Sequence, residues 1–158
     1  MTDKPESVGR EVLYEVVDGH IGLVRLNRPD KRNAVNGDLA AALDWIVKAT
    51  EADPEIRVVI LGSTSDGAFC AGADLSEISK GRGHMLSTND GGFGGLARAN
   101  REKPWIAAVA APALAGGCDG ETGGPCPVDH LADQRRLVAG ETVEIGWHVE
   151  DCRALDAA

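Results

Sequence analysis

Apolar and polar residues follow one another in the first half of the chain in runs that predict a sheet. The runs from Val12 to Val17 and from Ile21 to Asn27 are typical of strands. Asp18-Gly19 lies between them and is a strong signal for a two-residue hairpin turn. Two later runs, Arg57 to Leu61 and Trp105 to Val109, are continuously apolar, as expected of strands that are buried in a parallel sheet.

Helical spacing predicts the elements between these strands. Apolar or small residues recur at intervals typical of a helix face at positions Leu39, Leu43, Ile46, Val47 and Thr50. Asn36 or Asp38 can cap this helix, and a second helix begins at Asp74, which forms a capping-box pattern with Glu77. Residues 95–102 fit a short third helix. The alternation of strands and helices predicts a layered α/β fold.

Two segments lack any periodic pattern. Residues 81–95 are rich in Gly, Ser, Asn and Asp, which predicts a mobile loop. After Gly117, the Gly- and Pro-rich run 119–127 opposes any helix, and only residues 142–149 alternate as a strand would. We therefore expect a folded core at residues 10–118 and an atypical tail at residues 119–158.

The balance of charge changes at the same point. Residues 118–158 hold 9 of the 25 acidic residues but only 3 of the 16 basic ones. The whole chain has a formal net charge of -9, which argues against nucleic acid or an anionic membrane as its partner. The polar N-terminus has no apolar signal-peptide core, and no apolar run approaches the length of a membrane span. We expect a cytoplasmic protein of one domain with reduced thiols.

Two glycine-rich segments each follow a predicted strand. The first is Phe69-Cys70-Ala71-Gly72-Ala73-Asp74, and the second is Pro112-Ala113-Leu114-Ala115-Gly116-Gly117. Small side chains let another group approach the main chain closely. Two backbone N–H groups aimed at one point form an oxyanion hole, which stabilises the negative oxygen of an acyl group. Each segment, taken alone, is as consistent with a tight turn that is packed for structural reasons.

In their order and spacing, these segments resemble the N-terminal part of the crotonase superfamily, the enoyl-CoA hydratase/isomerase family. The matching pieces are Gly22 to Pro29, Arg32-Asn33-Ala34, Val58 to Gly62, Ala68 to Leu75, and Lys103 to Val109 leading into Pro112 to Cys118. The resemblance covers roughly residues 10–118. It implies the α/β fold of that superfamily, a ββα spiral core, of which the chain holds a truncated form.

Members of this family bind acyl-CoA thioesters, and the resemblance implies roles for residues of this chain. The backbone N–H groups of Ala73 and Gly116 would hold the thioester oxygen. The coenzyme A site would be lined by Arg28, Arg32, Ala34, Ala71, Gly72, Asp74 and Leu75. The resemblance implies no cofactor apart from coenzyme A as part of the substrate, and no metal. Full-length relatives form trimers or hexamers through C-terminal helices.

The acid/base residues of the family's hydratases carry over only in part. By resemblance, the first of two glutamates falls on Asp119 and the second near Ala139, where the family pattern has ended. Aspartate is shorter than glutamate by about 1.5 Å of reach, and proton transfer requires hydrogen-bond distance. Two hypotheses remain. One is an enoyl-CoA hydratase-like protein of acyl-CoA metabolism with impaired activity, and the other is a non-catalytic fragment or pseudoenzyme with weak CoA binding. A separate hypothesis, suggested by the change in composition and charge, is that the segment after Cys118 is out of frame or otherwise replaced.

The other reactive side chains are interpreted as structural or solvated. Cys70 has no histidine nearby in the sequence to activate it, so it is a small buried residue rather than a nucleophile. His84 lies in the predicted loop, and Lys31 and Arg32 are surface charges with phosphate contact as the alternative. The spacing of the cysteines and histidines after Gly117 fits no closed zinc site: Cys118, Cys126, His130, His148 and Cys152.

Overall fold

The computed structural model describes residues 4–111 and residue 113. In this part of the chain, the backbone forms a four-stranded sheet, a two-stranded sheet, two α-helices and two short 3-10 turns. The elements in chain order are β1 (Val12–Val17), β2 (Ile21–Leu26), a 3-10 turn (Pro29–Lys31), α1 (Gly37–Ala52), β3 (Val58–Ser63), α2 (Leu75–Ser79), a 3-10 turn (Gly83–Leu86), β4 (Ser87–Thr88), β5 (Gly92–Phe93) and β6 (Trp105–Ala107).

The main sheet has the strand order β1-β2-β3-β6. β1 and β2 are antiparallel, whereas β2, β3 and β6 run parallel to one another. Asp18 and Gly19 both have positive φ angles, 50° and 73°, as a tight hairpin turn requires. Three residues separate the paired Val17 and Ile21, so the hairpin loop is one residue longer than the predicted turn.

Helix α1 connects β2 to β3 and packs on the sheet. The side chain of Asn36 accepts a hydrogen bond from the Leu39 N–H at 2.9 Å, which confirms Asn36 as the N-cap. The predicted apolar face is buried at Leu39, Leu43, Ile46, Val47 and Thr50. This face joins Val24 and Val59 of the sheet in one core. Full burial of a leucine or isoleucine side chain contributes about 1.5–3 kcal/mol, so this face anchors the fold.

Residues 81–95 form regular secondary structure, so the prediction of a loop over this segment is wrong. The segment contains the Gly83–Leu86 turn and the hairpin of β4 and β5. The Thr88 hydroxyl donates to the Asp44 carboxylate of α1 at 2.7 Å. Gly95 lies so close to α1 that a Cβ atom there would be 2.1 Å from a backbone oxygen of the helix. The glycines of this segment allow close packing against α1, whereas a glycine-rich pattern in the sequence alone indicates a mobile loop.

The helix predicted at residues 95–102 is absent, and turns occupy residues 94–98 instead. The Arg98 N–H donates to the carbonyl of Gly91, seven residues earlier, which no helical hydrogen-bond pattern allows. Gly95 has a φ of 72°, so the backbone leaves the right-handed helical region at the predicted start.

Strand β6 is shorter and more exposed than predicted. It ends at Ala107, and Ile106 is exposed, because β6 pairs only with β3 and lies at the edge of the described sheet.

None of the described helices is both long and apolar enough to cross a membrane. The predictions for the tail, including its strand at residues 142–149 and its cysteines and histidines, lie outside the described residues.

Candidate functional site

The first glycine-rich segment lies beside the loop that follows β2. The Val35 N–H donates to the Gly72 carbonyl at 2.7 Å, and the Asp74 N–H donates to the Val35 carbonyl at 2.9 Å. These two bonds form a parallel bridge between Val35 and Ala73. In such a bridge the N–H of Ala73 itself points away from Val35. Among the described residues, no acceptor takes this N–H, so it is a free donor at the predicted position.

The turn that presents Ala73 depends on Gly72 and Cys70. Gly72 has a φ of 80°, a conformation that favours glycine. Its N–H donates to the Cys70 sulfur at 3.4 Å, and the Cys70 thiol donates to the Asn33 carbonyl at 3.3 Å. Burial raises the pKa of the Cys70 thiol, which keeps it protonated. The thiol therefore acts as a structural hydrogen-bonding group, in agreement with its interpretation as a buried residue.

Asn33 is fully buried and joins the loop to the end of β3. Its side-chain amide donates to the Ser63 hydroxyl at 2.8 Å and to the Phe69 carbonyl at 2.9 Å. Its side-chain oxygen accepts a hydrogen bond from the backbone N–H of Arg28 at 2.7 Å. The backbone φ is 53°, which asparagine tolerates better than most residues. The sequence offered only its place between Arg32 and Ala34 as a signal for this role.

The guanidinium of Arg28 is engaged within the protein. Its Nε lies 2.6 Å from a carboxylate oxygen of Glu11, and both terminal nitrogens donate to Asp74 Oδ2 at 3.2 Å. One of them also donates to the Ala34 carbonyl. The side chain is only 13% exposed. Contact between Arg28 and coenzyme A stays a prediction, but all three of its side-chain nitrogens already have partners.

Asp74 caps α2 and belongs to the same network. Its Oδ1 accepts from the Ser76 N–H at 3.0 Å and from the Ser76 hydroxyl at 2.7 Å. Burial alone would raise the pKa of Asp74, but the hydrogen bonds from Ser76 and Arg28 outweigh it and lower the pKa. The carboxyl group is therefore ionised at neutral pH. This charge holds Arg28 against the turn that carries Ala73.

The predicted capping box at this helix is not formed. The Glu77 carboxylate pairs with Arg82, with distances of 2.7 Å and 2.8 Å to Nε and a terminal nitrogen. The Asp74 N–H, which Glu77 would accept from in a capping box, already donates to Val35. The sequence pattern could not reveal this competition, because Val35 lies far from Asp74 along the chain.

The structure brings together the two segments predicted to line a coenzyme A site. The Ala71 N–H donates to the Arg32 carbonyl at 2.9 Å, so the loop around Ala34 runs beside residues 71–75. The Arg32 side chain is exposed, and Leu75 is 76% exposed. The predicted residues Gly116 and Asp119 lie outside the described residues. Ala113 of the second glycine-rich segment forms a parallel bridge with Cys70.

Other parts of the described surface carry none of the predicted site residues. A cleft between α1 and the turns after β5 is lined by Asp44, Lys48, Asp90, Arg98 and Asn100. Within residues 4–111 and 113, no group of three or more His, Cys, Asp or Glu side chains is placed to hold a metal ion. The Ala73 turn and its neighbouring loop are therefore the strongest candidate for a functional site.

Comparison with known sequences gives one family. The model of the enoyl-CoA hydratase/isomerase family matches residues 17–121. A probable enoyl-CoA hydratase of Rhizobium meliloti is 40% identical over 110 residues, covering 69% of this chain and 42% of that protein. A short-chain-enoyl-CoA hydratase of Clostridium acetobutylicum is 36% identical over 110 residues, covering 65% of this chain and 40% of that protein. The chain spans about two fifths of the length of these relatives.

Comparison with solved structures agrees. A carnitinyl-CoA hydratase from Mycobacterium avium has a TM-score of 0.64 and 38% identity, covering 68% of this chain and 41% of that one. An enoyl-CoA hydratase from Mycobacterium tuberculosis has a TM-score of 0.61 and 37% identity, with 68% and 40% covered. These neighbours confirm the predicted α/β crotonase-like core and its limit to the N-terminal part of the fold. The chain therefore belongs to the enoyl-CoA hydratase/isomerase family.

Proposed function

We propose that this chain binds an acyl-CoA thioester and that the Ala73 N–H donates a hydrogen bond to the thioester oxygen. The observation that carries the proposal is the free N–H of Ala73, presented by a turn that hydrogen bonds hold on both sides. A preorganised backbone donor stabilises an oxyanion without any charged side chain, and removal of one such donor costs about 10²–10³ in kcat in well-studied enzymes. Membership of the family supplies the substrate class.

We propose Gly116 as the second donor. The bridge between Cys70 and Ala113 joins the first glycine-rich segment to the described residue of the second. Ala73 and Gly116 each lie three residues beyond this bridge. Three residues span at most about 10 Å, which limits how far each of these amides can lie from the bridge. The family match extends to residue 121 and includes Gly116, which supports the assignment.

The coenzyme A moiety would then bind along the loop and the Ala73 turn. The residues proposed to line it are Arg32, Ala34, Ala71, Gly72, Asp74 and Leu75. Their backbones run side by side through the bond between Ala71 and Arg32. The exposed Arg32 side chain is available for a phosphate contact. Coenzyme A enters as part of the substrate, and the proposal requires no further cofactor.

The reaction proposed for the family core is hydration of a 2-enoyl thioester. The hydroxyl group of water bonds to the β-carbon and a proton is added to the α-carbon. The electron pair of the double bond passes through an enolate whose oxygen the hole stabilises. We propose Asp119 as the group at the first acid/base position. Its shorter reach predicts impaired proton transfer, and hence slow turnover by this chain.

The test is hydration of crotonyl-CoA by the full chain, followed by the loss of the conjugated enoyl absorbance. We expect turnover close to the background rate, which Asp119→Ala leaves unchanged and Asp119→Glu increases. Rapid turnover that Asp119→Ala abolishes would contradict the proposed impairment. Calorimetry with crotonyl-CoA tests binding separately. Arg32→Gln, which removes the proposed phosphate contact, should weaken binding, and Arg57→Gln at another exposed arginine is the control for lost positive charge.

A second candidate is a non-catalytic protein that only binds coenzyme A. It is favoured by the end of the family match at residue 121, before the second acid/base position near Ala139. It predicts binding of coenzyme A and crotonyl-CoA with equal affinity and no hydration even for Asp119→Glu. The domain boundary at residue 118, the cytoplasmic location and any trimeric assembly stay predictions.

A further inference from the structure

We propose that Arg28 is a positioning residue for the oxyanion donor Ala73, and that its guanidinium does not bind coenzyme A. The inference rests on the proposed function, since it takes the Ala73 N–H as the group that meets the thioester oxygen. It assigns to Arg28 a task other than the ligand contact that the sequence resemblance implies.

The guanidinium cross-links both sides of the bridge between Val35 and Ala73. On one side it donates to the carbonyl of Ala34, the residue before Val35. On the other side, its two terminal nitrogens donate to the carboxylate of Asp74, the residue after Ala73. Arg28 is therefore the side chain that joins the residue flanking each member of the bridge.

The hydrogen bonds at this site suit an arginine. The two terminal nitrogens donate to Ala34 and Asp74, whereas Nε forms only an ion-pair contact, 2.6 Å from a Glu11 oxygen that accepts no hydrogen bond. A planar fork of donors can reach two acceptors in fixed directions, whereas the single ammonium of lysine acts as a point charge. The side chains of Arg28, Glu11 and Asp74 are 13%, 18% and 8% exposed, so water competes weakly for these bonds.

The bridge fixes the direction of the Ala73 N–H. This N–H belongs to the same planar peptide unit as the Gly72 carbonyl and points opposite to it. The Gly72 carbonyl accepts from Val35, so the plane is held only while the loop and the turn stay together. Loss of Arg28 removes the side-chain link between the two flanks and leaves the bonds of the bridge and the bond between Ala71 and Arg32 in place. The loop and the turn then stay together, but the peptide plane gains freedom to rotate. Hydrogen bonds weaken steeply as their angle departs from linear, so rotation reduces polarisation of a bound carbonyl.

The test is infrared spectroscopy of crotonyl-CoA that carries ¹³C at the thioester carbonyl, bound to the full chain. A hydrogen bond to this oxygen lowers its stretching frequency, whether or not turnover follows. We expect wild-type protein to lower the frequency and Arg28→Gln to lose roughly half or more of that shift at equal occupancy. Arg28→Lys restores the charge and does not restore the shift, because the fork is missing.

Arg25→Gln is the matched control. It breaks another arginine–carboxylate pair, with Glu15 at 2.6 Å, which is more exposed and lies between strands β1 and β2. We expect it to retain the full shift. Asp74→Asn is the second test variant, since it keeps the size of the side chain and removes the charge that holds Arg28. Combined with Arg28→Gln, it adds little further loss, because both act on one contact.

The outcomes separate the inference from the function beneath it. A wild-type complex with no frequency shift overturns the proposed function and the role of Arg28 with it. A wild-type shift that Arg28→Gln and Asp74→Asn both retain overturns the role of Arg28 alone. Weaker binding of coenzyme A by Arg28→Gln with an unchanged shift in the bound fraction also overturns it, since this result identifies a ligand contact. If Arg28→Gln does not fold, Arg28→Lys and Asp74→Asn decide.

Discussion

Asn33 shows how one buried polar side chain can determine the shape of a loop. Its amide satisfies carbonyl and hydroxyl groups at the end of β3, and its oxygen satisfies the Arg28 N–H. A buried polar group left without its partner costs about 1–3 kcal/mol. The loop after β2 therefore has its observed path because an asparagine occupies this position, and its left-handed backbone adds a second constraint.

Two substitutions separate these constraints. Asn33→Gly removes the side chain and keeps a residue that adopts a φ of 53° freely, and we expect a loss of about 2–3 kcal/mol from the free energy of unfolding. Asn33→Ala removes the same bonds and adds backbone strain of about 1–2 kcal/mol. Urea unfolding measures both. Equal stability of the two variants would show that the backbone conformation is not strained.

The charge on Asp74 makes stability depend on pH. Its pKa is lowered in the folded state, so below neutral pH the unfolded state binds more protons than the folded state. Its contribution is complete above the unfolded pKa of about 3.9 and is lost as the pH falls through the lower folded value. We expect Asp74→Asn to lose stability at pH 7 and to show a flatter decline in urea unfolding between pH 5 and pH 3.

The exposed carboxylate Glu15, which pairs with Arg25 on the sheet, supplies the control for this pH dependence. Glu15→Gln removes one carboxylate at the surface and leaves the network of Arg28 intact. A decline of stability in acid that is the same for Asp74→Asn and the wild-type protein would contradict the role assigned to Asp74.

At the scale of elements, sequence patterns predicted correctly those strands and helices that depend on residues close together in the chain. The β1–β2 hairpin, α1 and its Asn36 cap depend on residues that are neighbours in the sequence, and the structure confirms them. The β4–β5 hairpin escaped prediction, because it is held by contacts with α1 that are distant along the chain. The sequence did not predict the role of Arg28 for the same reason, since its partner Asp74 lies 46 residues away along the chain.

Two glycines with similar backbones test how the β4–β5 hairpin is attached. Gly81 and Gly95 have φ angles of 74° and 72°, but a Cβ atom at Gly81 meets nothing within 4 Å. Gly81→Ala should therefore cost about 1 kcal/mol through backbone strain alone. Gly95→Ala forces the hairpin away from α1 and should cost at least about 3 kcal/mol. Equal thermal unfolding temperatures would show that the hairpin does not pack on α1.

For the whole described part of the molecule, Lys103 connects β6 to the end of α1. Its ammonium donates to the carbonyls of Thr50 and Asp53, where the negative end of the helix dipole lies. The Glu51 carboxylate accepts from the N–H groups of Glu102 and Lys103 in return. This connection fixes the entry into β6 at a position that no periodic pattern indicated.

Substitutions of two lysines, Lys103 before β6 and Lys48 in α1, test this connection. Lys103→Met should lower the free energy of unfolding by about 1–2 kcal/mol, because the last carbonyls of α1 lose a partly buried cation. Lys48→Met is the control, since Lys48 pairs with Asp44 and Asp90 at the surface, where such pairs contribute about 0–1 kcal/mol. Chemical denaturation of both variants makes the comparison, and an equal loss would contradict the helix-end role.

The network around Ala73 also has a consequence for the order of folding during synthesis. The hydrogen bonds that set its direction join residues no further along the chain than Ser76. Chains fold from the N-terminus as they leave the ribosome. The hydrogen bonds that direct the first donor can therefore form before the rest of the chain has left the ribosome.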